Sequence, residues 1–380
     1  MEVGDEAVVD RAGLDALIKE LRSRGHRTVG PVVRDGAIVH SEVTGVDDLP
    51  EGWHDHQEPG CYRVEQGEGP ALFGWAVGPT SMKSQFFVSE EIVWRASVAD
   101  GQVTLSEPPA PTEPVAVIGA RPCELAALGV LDRVLRDGAV ADDRYAARRG
   151  GAFVVAAECG TPAGTCFCTS MGTGPAARNG YDLAVTELVD GGHRFYVRVG
   201  SLAGADVLAK IPHRPAEDSE RAGRQKVLSH AEDTMGRSLD TEGLPALLAR
   251  NIEHPRWKEV AERCLSCGNC TLVCPTCFCS DVKDVSDVSG ALERQHRWAS
   301  CFDLNHSYIH GGAVRPTTMS RYRQWLTHKL STWWDQFDES GCVGCGRCIA
   351  WCPVGIDITE EAAAIRATDG AVAAGEHRAP

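Results

Sequence analysis

The chain has 380 residues, of which 43% are hydrophobic and 24% charged, a formal charge of −15 and sixteen cysteines. This length allows two or three domains with a real core, and the apolar content argues against general disorder. The acidic balance argues against a nucleic-acid partner, since that partner needs a basic footprint. No apolar run reaches the ~18 residues of a membrane helix, and the acidic Met1–Glu6 start does not read as a secretory signal. The expectation is therefore a reducing, cytoplasmic setting with no membrane, where clustered cysteines bind metal or carry electrons.

In chain order, Leu14, Leu17, Ile18 and Leu21 predict an amphipathic helix over 10–24 that stops at Gly25. Asp35-Gly36 between two apolar triplets predicts a hairpin. Residues 41–90 are turn-rich, with Ala71–Trp75 as a short strand candidate. After a proline-rich connector at Pro108–Pro114, Val115–Gly119 reads as a buried strand. A helix follows with Leu125, Leu128, Leu131 and Leu135 on one face, entered through Pro122. Phe153–Ala157 reads as a second buried strand, which completes a βαβ-like unit and leads into Cys159. A further hairpin spans about 181–199, turning at Asp190-Gly191-Gly192. Residues 213–240 read as a solvated linker or surface helix. The expected class is α+β: a mixed α/β domain over 1–250, then a helical two-cluster ferredoxin-like domain over 251–380 with an insert between its cysteine motifs.

The chemistry lies in a duplicated motif. Cys264, Cys267, Cys270 and Cys274 follow C-x2-C-x2-C-x3-C-P, and Cys342, Cys345, Cys348 and Cys352 repeat it. Three closely spaced thiolates wrap one face of a cubane, and in two-cluster ferredoxins the fourth cysteine crosses to the other cluster. The spacing thus pairs Cys264, Cys267, Cys270 and Cys352 on one 4Fe-4S cluster, and Cys342, Cys345, Cys348 and Cys274 on the other. Two structural zinc sites are the competing interpretation, but zinc hooks pair C-x2-C units and rarely run to three. Gly268 and Gly346 leave room for backbone beside inorganic sulfide.

Eight cysteines remain. Cys61 stands apart. Cys123, Cys159, Cys166 and Cys168 lie in the first half, while Cys277, Cys279 and Cys301 follow the first motif. Either four of these seven build a third iron–sulfur centre, or they are buried thiols filling space. Cys-Phe-Cys occurs twice, at 166–168 and 277–279, and the sequence does not choose between the sets. The insert carries Trp298, Trp325, Trp333, Trp334, His306, His310 and His328, read as packing. Arg315, Arg321, Arg323 and Lys329 form a local basic patch that either docks an acidic partner, neutralises cluster charge or is a solvated face.

Gly119–Glu124, Gly164–Pro175, Cys264–Cys279, Trp298–Cys301 and Gly341–Pro353 together resemble the iron–sulfur beta subunit of cytosolic NAD(P)-linked nickel–iron hydrogenases, the sulfhydrogenase type. They also resemble the electron-input subunit of anaerobic sulfite reductases. Glu124 stands where the family often carries Asp. The resemblance implies a non-catalytic electron-transfer subunit of an oxidoreductase complex. Its partners would be the hydrogenase small and large subunits and a flavin- and NAD(P)-binding subunit. Two alternatives stay open: electron input to a sulfite or sulfur reductase, and a redox-sensing regulator.

Overall fold

A computed structural model describes residues 1–99, 101–287 and 291–371. Its first half is built on an eight-stranded sheet. The strand order is Arg214–Pro215, Glu6–Val9, Arg194–Val199, Leu183–Leu188, Phe153–Ala157, Val115–Ala120, Arg27–Arg34, Ala37–Glu42. The four strands from Leu183–Leu188 to Arg27–Arg34 run parallel, and the flanking pairs are antiparallel. Val115–Ala120 and Phe153–Ala157 are buried along their whole length. That explains their continuous apolar reading, because both faces of a parallel sheet are covered. Ala116, Ile118 and Val155 pack with Leu14, Leu17, Ile18 and Leu21 of the helix Arg11–Ser23. Val117 and Val154 pack on the other face with Leu125, Leu128 and Leu131 of the helix Pro122–Leu135.

The Asp35-Gly36 turn is a two-residue hairpin with both residues at positive φ, 50° and 72°. Residues 218–233 form a helix (Asp218–Asp233) against the sheet. Ala71–Trp75 is not a strand. Its backbone N–H groups at Leu72 and Phe73 donate to the Glu187 carboxylate (2.7 and 2.8 Å), so a side chain replaces the neighbouring strand that the apolar run suggested.

A four-stranded antiparallel sheet, ordered Ser280–Ser286, Leu292–Trp298, Glu90–Ala99, Gln102–Ser106, draws strands from both sides of residue 250. The second half is otherwise mainly helical, with one short two-stranded ladder of Tyr308–Ile309 and Gly312–Ala313. Its core gathers Trp257, Tyr322, Trp325, Leu330, Ile349 and Ile358, with Cys264, Cys270, Cys342, Cys348 and Cys352 packed against it. Phe167 from the first half is part of the same core, and is fully buried. No described helix is long and apolar enough to cross a membrane.

Candidate iron–sulfur sites

Each C-x2-C-x2-C motif ends in one turn of helix, Asn269–Leu272 or Arg347–Ala350, started by a glycine at φ 73°. At Gly346 the glycine is also a matter of space, since a Cβ there would lie 2.4 Å from the Thr165 carbonyl oxygen. The second motif is therefore pressed onto the 165–168 loop of the first half. Phe167 N–H donates to Gly344 O at 2.8 Å, and Thr173 Oγ1 donates to Val343 O at 2.6 Å.

Cys264, Cys267, Cys270 and Cys352 line one cavity of about 30 Å³, and Cys348 forms part of its wall. Cys267 is the exposed member. Burial pushes Cys270 well above the ordinary thiol value, and Cys264, Cys352 and Cys267 add to that rise. Cys342, Cys345, Cys348 and Cys274 form a second neighbourhood. Burial raises Cys348, followed by the influence of Cys342, Cys345 and Cys274. Thiols held so far up stay protonated until a metal takes the place of the proton.

Three observations bear on whether these sets suit a cluster. The first is the donor set itself, four cysteines to each, which matches 4Fe-4S ligation. The second is that Tyr322 Oη and Trp325 Nε1 are buried without a hydrogen-bond partner and their side chains line the first cavity. Buried donors are nearly always satisfied, so this pair suits acceptors that cluster sulfur provides. The third is Lys329, whose Nζ donates to Cys274 Sγ at 3.2 Å and to Thr276 Oγ1 at 3.0 Å while buried. A buried ammonium is costly unless paired with negative charge, which ligating thiolates supply. Among the described residues no three His, Cys, Asp or Glu side chains close on a single-ion position. Cys264, Cys267, Cys270 and Cys352 surround a cavity instead.

Two members of the expected basic patch, Arg321 and Lys329, turn inward. Arg321 is buried and donates to the Arg315 and Pro316 carbonyls, Arg323 to Ile252 O, and Lys329 faces Cys274. Lys83 adds another buried ammonium, donating to the carbonyls of Cys274 and Cys277 at 2.9 and 3.1 Å and lying 3.8 Å from the Trp298 ring centroid.

The seven further cysteines separate into two groups. Cys277 neighbours Cys274, and Cys279 neighbours Cys301, where Ala299 N–H donates to Cys279 O at 2.9 Å. Cys123, Cys159, Cys166 and Cys168 instead line a separate cavity of about 20 Å³ in the first half, with Cys345 on its wall. Cys61 begins the strand Cys61–Gln66 and belongs to neither group. A roomier cavity of about 370 Å³ beside the helix Asp218–Asp233 contains no cysteine.

Two arginines that spacing alone does not reveal hold these parts in place. Arg121 is buried and donates to the backbone carbonyls of Phe73, Trp75, Ala76, Ala157 and Glu158, tying the 73–76 loop to a strand end. Arg347, between Cys345 and Cys348, meets Glu124 at 2.8 Å in a fully buried ion pair and donates to Gly78 O. Burial raises the Glu124 carboxyl, but Arg347 and His40 outweigh it and hold the group below its ordinary value. Glu124 also accepts from Arg121 N–H as the third residue of a helix capping box, the one local signal that marks it.

A 4Fe-4S dicluster domain family matches residues 263–356. The chain is 35% identical over 245 residues to sulfhydrogenase 2 subunit beta of Pyrococcus furiosus, which covers 63% of this chain and 71% of that protein. No solved structure matches.

Proposed function

The chain belongs to the sulfhydrogenase beta-subunit family, and from that premise we propose that it relays electrons between an NAD(P)H-linked flavoprotein partner and the small and large subunits of a nickel–iron hydrogenase. Iron–sulfur electron transfer is common ground between the family and the dicluster domain; the partners and the cytoplasmic setting are part of the proposal. The relative is a hydrogenase subunit, which favours this reading over electron input to a sulfite reductase. The observation that carries it is the cavity lined by Cys264, Cys267, Cys270 and Cys352, with Cys348 of the second motif on its wall and an aromatic core around it.

The proposed ligand sets are Cys264, Cys267, Cys270 and Cys352 for the first 4Fe-4S cluster, and Cys342, Cys345, Cys348 and Cys274 for the second. When bound, such clusters supply one-electron steps and no bond chemistry. The protein's share of the work is environmental. Trp325, Tyr322 and Phe302 wall the first cavity against water. Tyr322 Oη and Trp325 Nε1, which have no protein partner, would donate to sulfur there, and Lys329 would offset negative charge at the second set. The 1–250 and 251–380 division is proposed as two folding units, with the four-stranded sheet joining them.

Purification of the native complex tests this function. The expected result is copurification with nickel–iron hydrogenase subunits, together with hydrogen-dependent NAD(P) reduction. A complex that contains this chain but no nickel–iron subunit overturns it.

A further inference from the structure

We propose that Cys123, Cys159, Cys166 and Cys168 ligate a third 4Fe-4S cluster, set in the α/β half against the second ferredoxin motif. Two neighbouring parallel strands deliver two of the ligands. Val115–Ala120 runs into the helix whose first turn carries Cys123, and Phe153–Ala157 ends two residues before Cys159. The C-terminal edge of a parallel sheet is where loops of this architecture build sites. The loop that follows folds back over that edge and adds Cys166 and Cys168.

All four thiols are buried, with exposures of 6, 9, 5 and 7% in chain order, and all four line one cavity. At about 20 Å³ it resembles the cavity of about 30 Å³ within the first ferredoxin set. Rigid or small residues frame it: Pro122, Pro162, Gly174 and Pro175. A Cβ on Gly174 would come within 2.7 Å of Cys168 Sγ, so the wall is drawn in tightly around the sulfur. A void in a close-packed interior costs stability, and four thiols around one void are a ligand shell for a cluster.

Arg347 supplies a second observation. Arg347 is 99% buried by side chain, its Nη1 has no hydrogen-bond partner, and it follows by two residues Cys345, which lines this cavity. A buried guanidinium N–H without a partner, so close in sequence to a residue of the cavity wall, suits an anionic acceptor nearby. Neutral thiols do not provide one, whereas ligating thiolates do.

The competing set is weaker. Cys277, Cys279 and Cys301 are three thiols, and the cysteine that Cys277 neighbours, Cys274, already belongs to the second ferredoxin set. The four in the α/β half need no shared ligand.

The proposed centre adjoins the second cluster. Cys345 lines its cavity, and Cys166 Sγ lies 3.9 Å from the Cys345 carbonyl oxygen. Loading it releases one proton from each of the four thiols, with iron and sulfide supplied by the class of assembly reaction that fills the ferredoxin motifs. Exchange with the second cluster moves one electron, one centre being oxidised as the other is reduced, with no bond made or broken.

The full chain, produced and handled without oxygen, should hold about twelve irons and as many acid-labile sulfides, against about eight for two cubanes. Cys159→Ala and Cys168→Ala should each lower iron to about eight and leave the electron paramagnetic resonance of the ferredoxin clusters in place. Cys279→Ala should stay at about twelve. About eight irons in the unaltered chain overturns the proposal, as does zinc at this site or iron lost from Cys279→Ala in place of Cys159→Ala. Should the first-half variants fail to fold, the iron count of the unaltered chain decides. A chain with about eight irons that still passes electrons from hydrogen would overturn the third cluster and leave the relay function standing.

Discussion

Replacing Lys329 with methionine removes a buried positive charge beside the second cluster and should lower that cluster's reduction potential. Lys329 Nζ lies 3.2 Å from Cys274 Sγ. An added electron is spread over the cubane beyond that sulfur, so a separation of roughly 6 Å is a fair working distance. At an effective dielectric of about 20, unit charges at that separation interact by about 3 kcal/mol. For a one-electron couple, about 1.4 kcal/mol corresponds to about 59 mV, which gives a downward shift of about 120 mV. Methionine keeps the length and apolar stem, and Lys329→Arg serves as the control that keeps the charge. Redox titration followed by electron paramagnetic resonance on the anaerobic full chain reads the shift, with iron content checked in parallel. A Lys329→Met protein with full iron and a potential within about 20 mV of the parent would refute the electrostatic role.

Tyr322→Phe and Trp325→Phe each remove one orphaned donor from the first cavity. Each should lower the first cluster's potential by about 40 mV, taking about 1 kcal/mol per hydrogen bond; the same titration reads it, and no shift in either variant argues that these groups do not reach sulfur. Arg347→Met leaves Glu124 buried without its cation and should cost about 3–5 kcal/mol in anaerobic urea unfolding. Adding Glu124→Gln should recover part of that loss, and strictly additive losses would contradict a direct pairing. His328 is pushed down from 6.5 to about 4 by burial and then by Lys329. Above pH 6.5 the ring is neutral in both the folded and unfolded chain. Below it the unfolded chain takes up a proton that the folded chain refuses, so stability falls as pH drops from 6.5 towards 4. The ring is only partly buried, so the expected loss by pH 5 is about 1–2 kcal/mol after solvent screening. His328→Gln should flatten that limb in denaturation curves, and an unchanged slope would assign it to other groups.

What the sequence reveals here follows how local the cause is. The helix Arg11–Ser23, the Asp35-Gly36 hairpin and the buried strands at 115–120 and 153–157 each have a local signature, and each forms in the structure. The pairing of Leu292–Trp298 with Glu90–Ala99 joins segments about two hundred residues apart, and no local pattern announces such a partnership. Ala71–Trp75 has strand-like composition, yet its amides are satisfied by Glu187, a residue 115 positions away from Leu72. The duplicated motif names its eight cysteines by spacing alone. The other seven carry no such spacing, and they separate only when the sheet brings Cys123 and Cys159 to one edge. The inward turn of Arg321 and Lys329 was hidden for the same reason, because composition does not show which side of a helix meets the core.

The relay itself is tested most directly by interrupting it in the native complex while leaving both ends intact. Cys345→Ala removes one proposed ligand of the second cluster. Hydrogen-dependent NAD(P) reduction should fall to near background, while hydrogen-dependent dye reduction by the nickel–iron module and NAD(P)H-dependent dye reduction by the flavin subunit persist. Unchanged hydrogen-dependent NAD(P) reduction in a complex shown to lack that cluster would contradict the account.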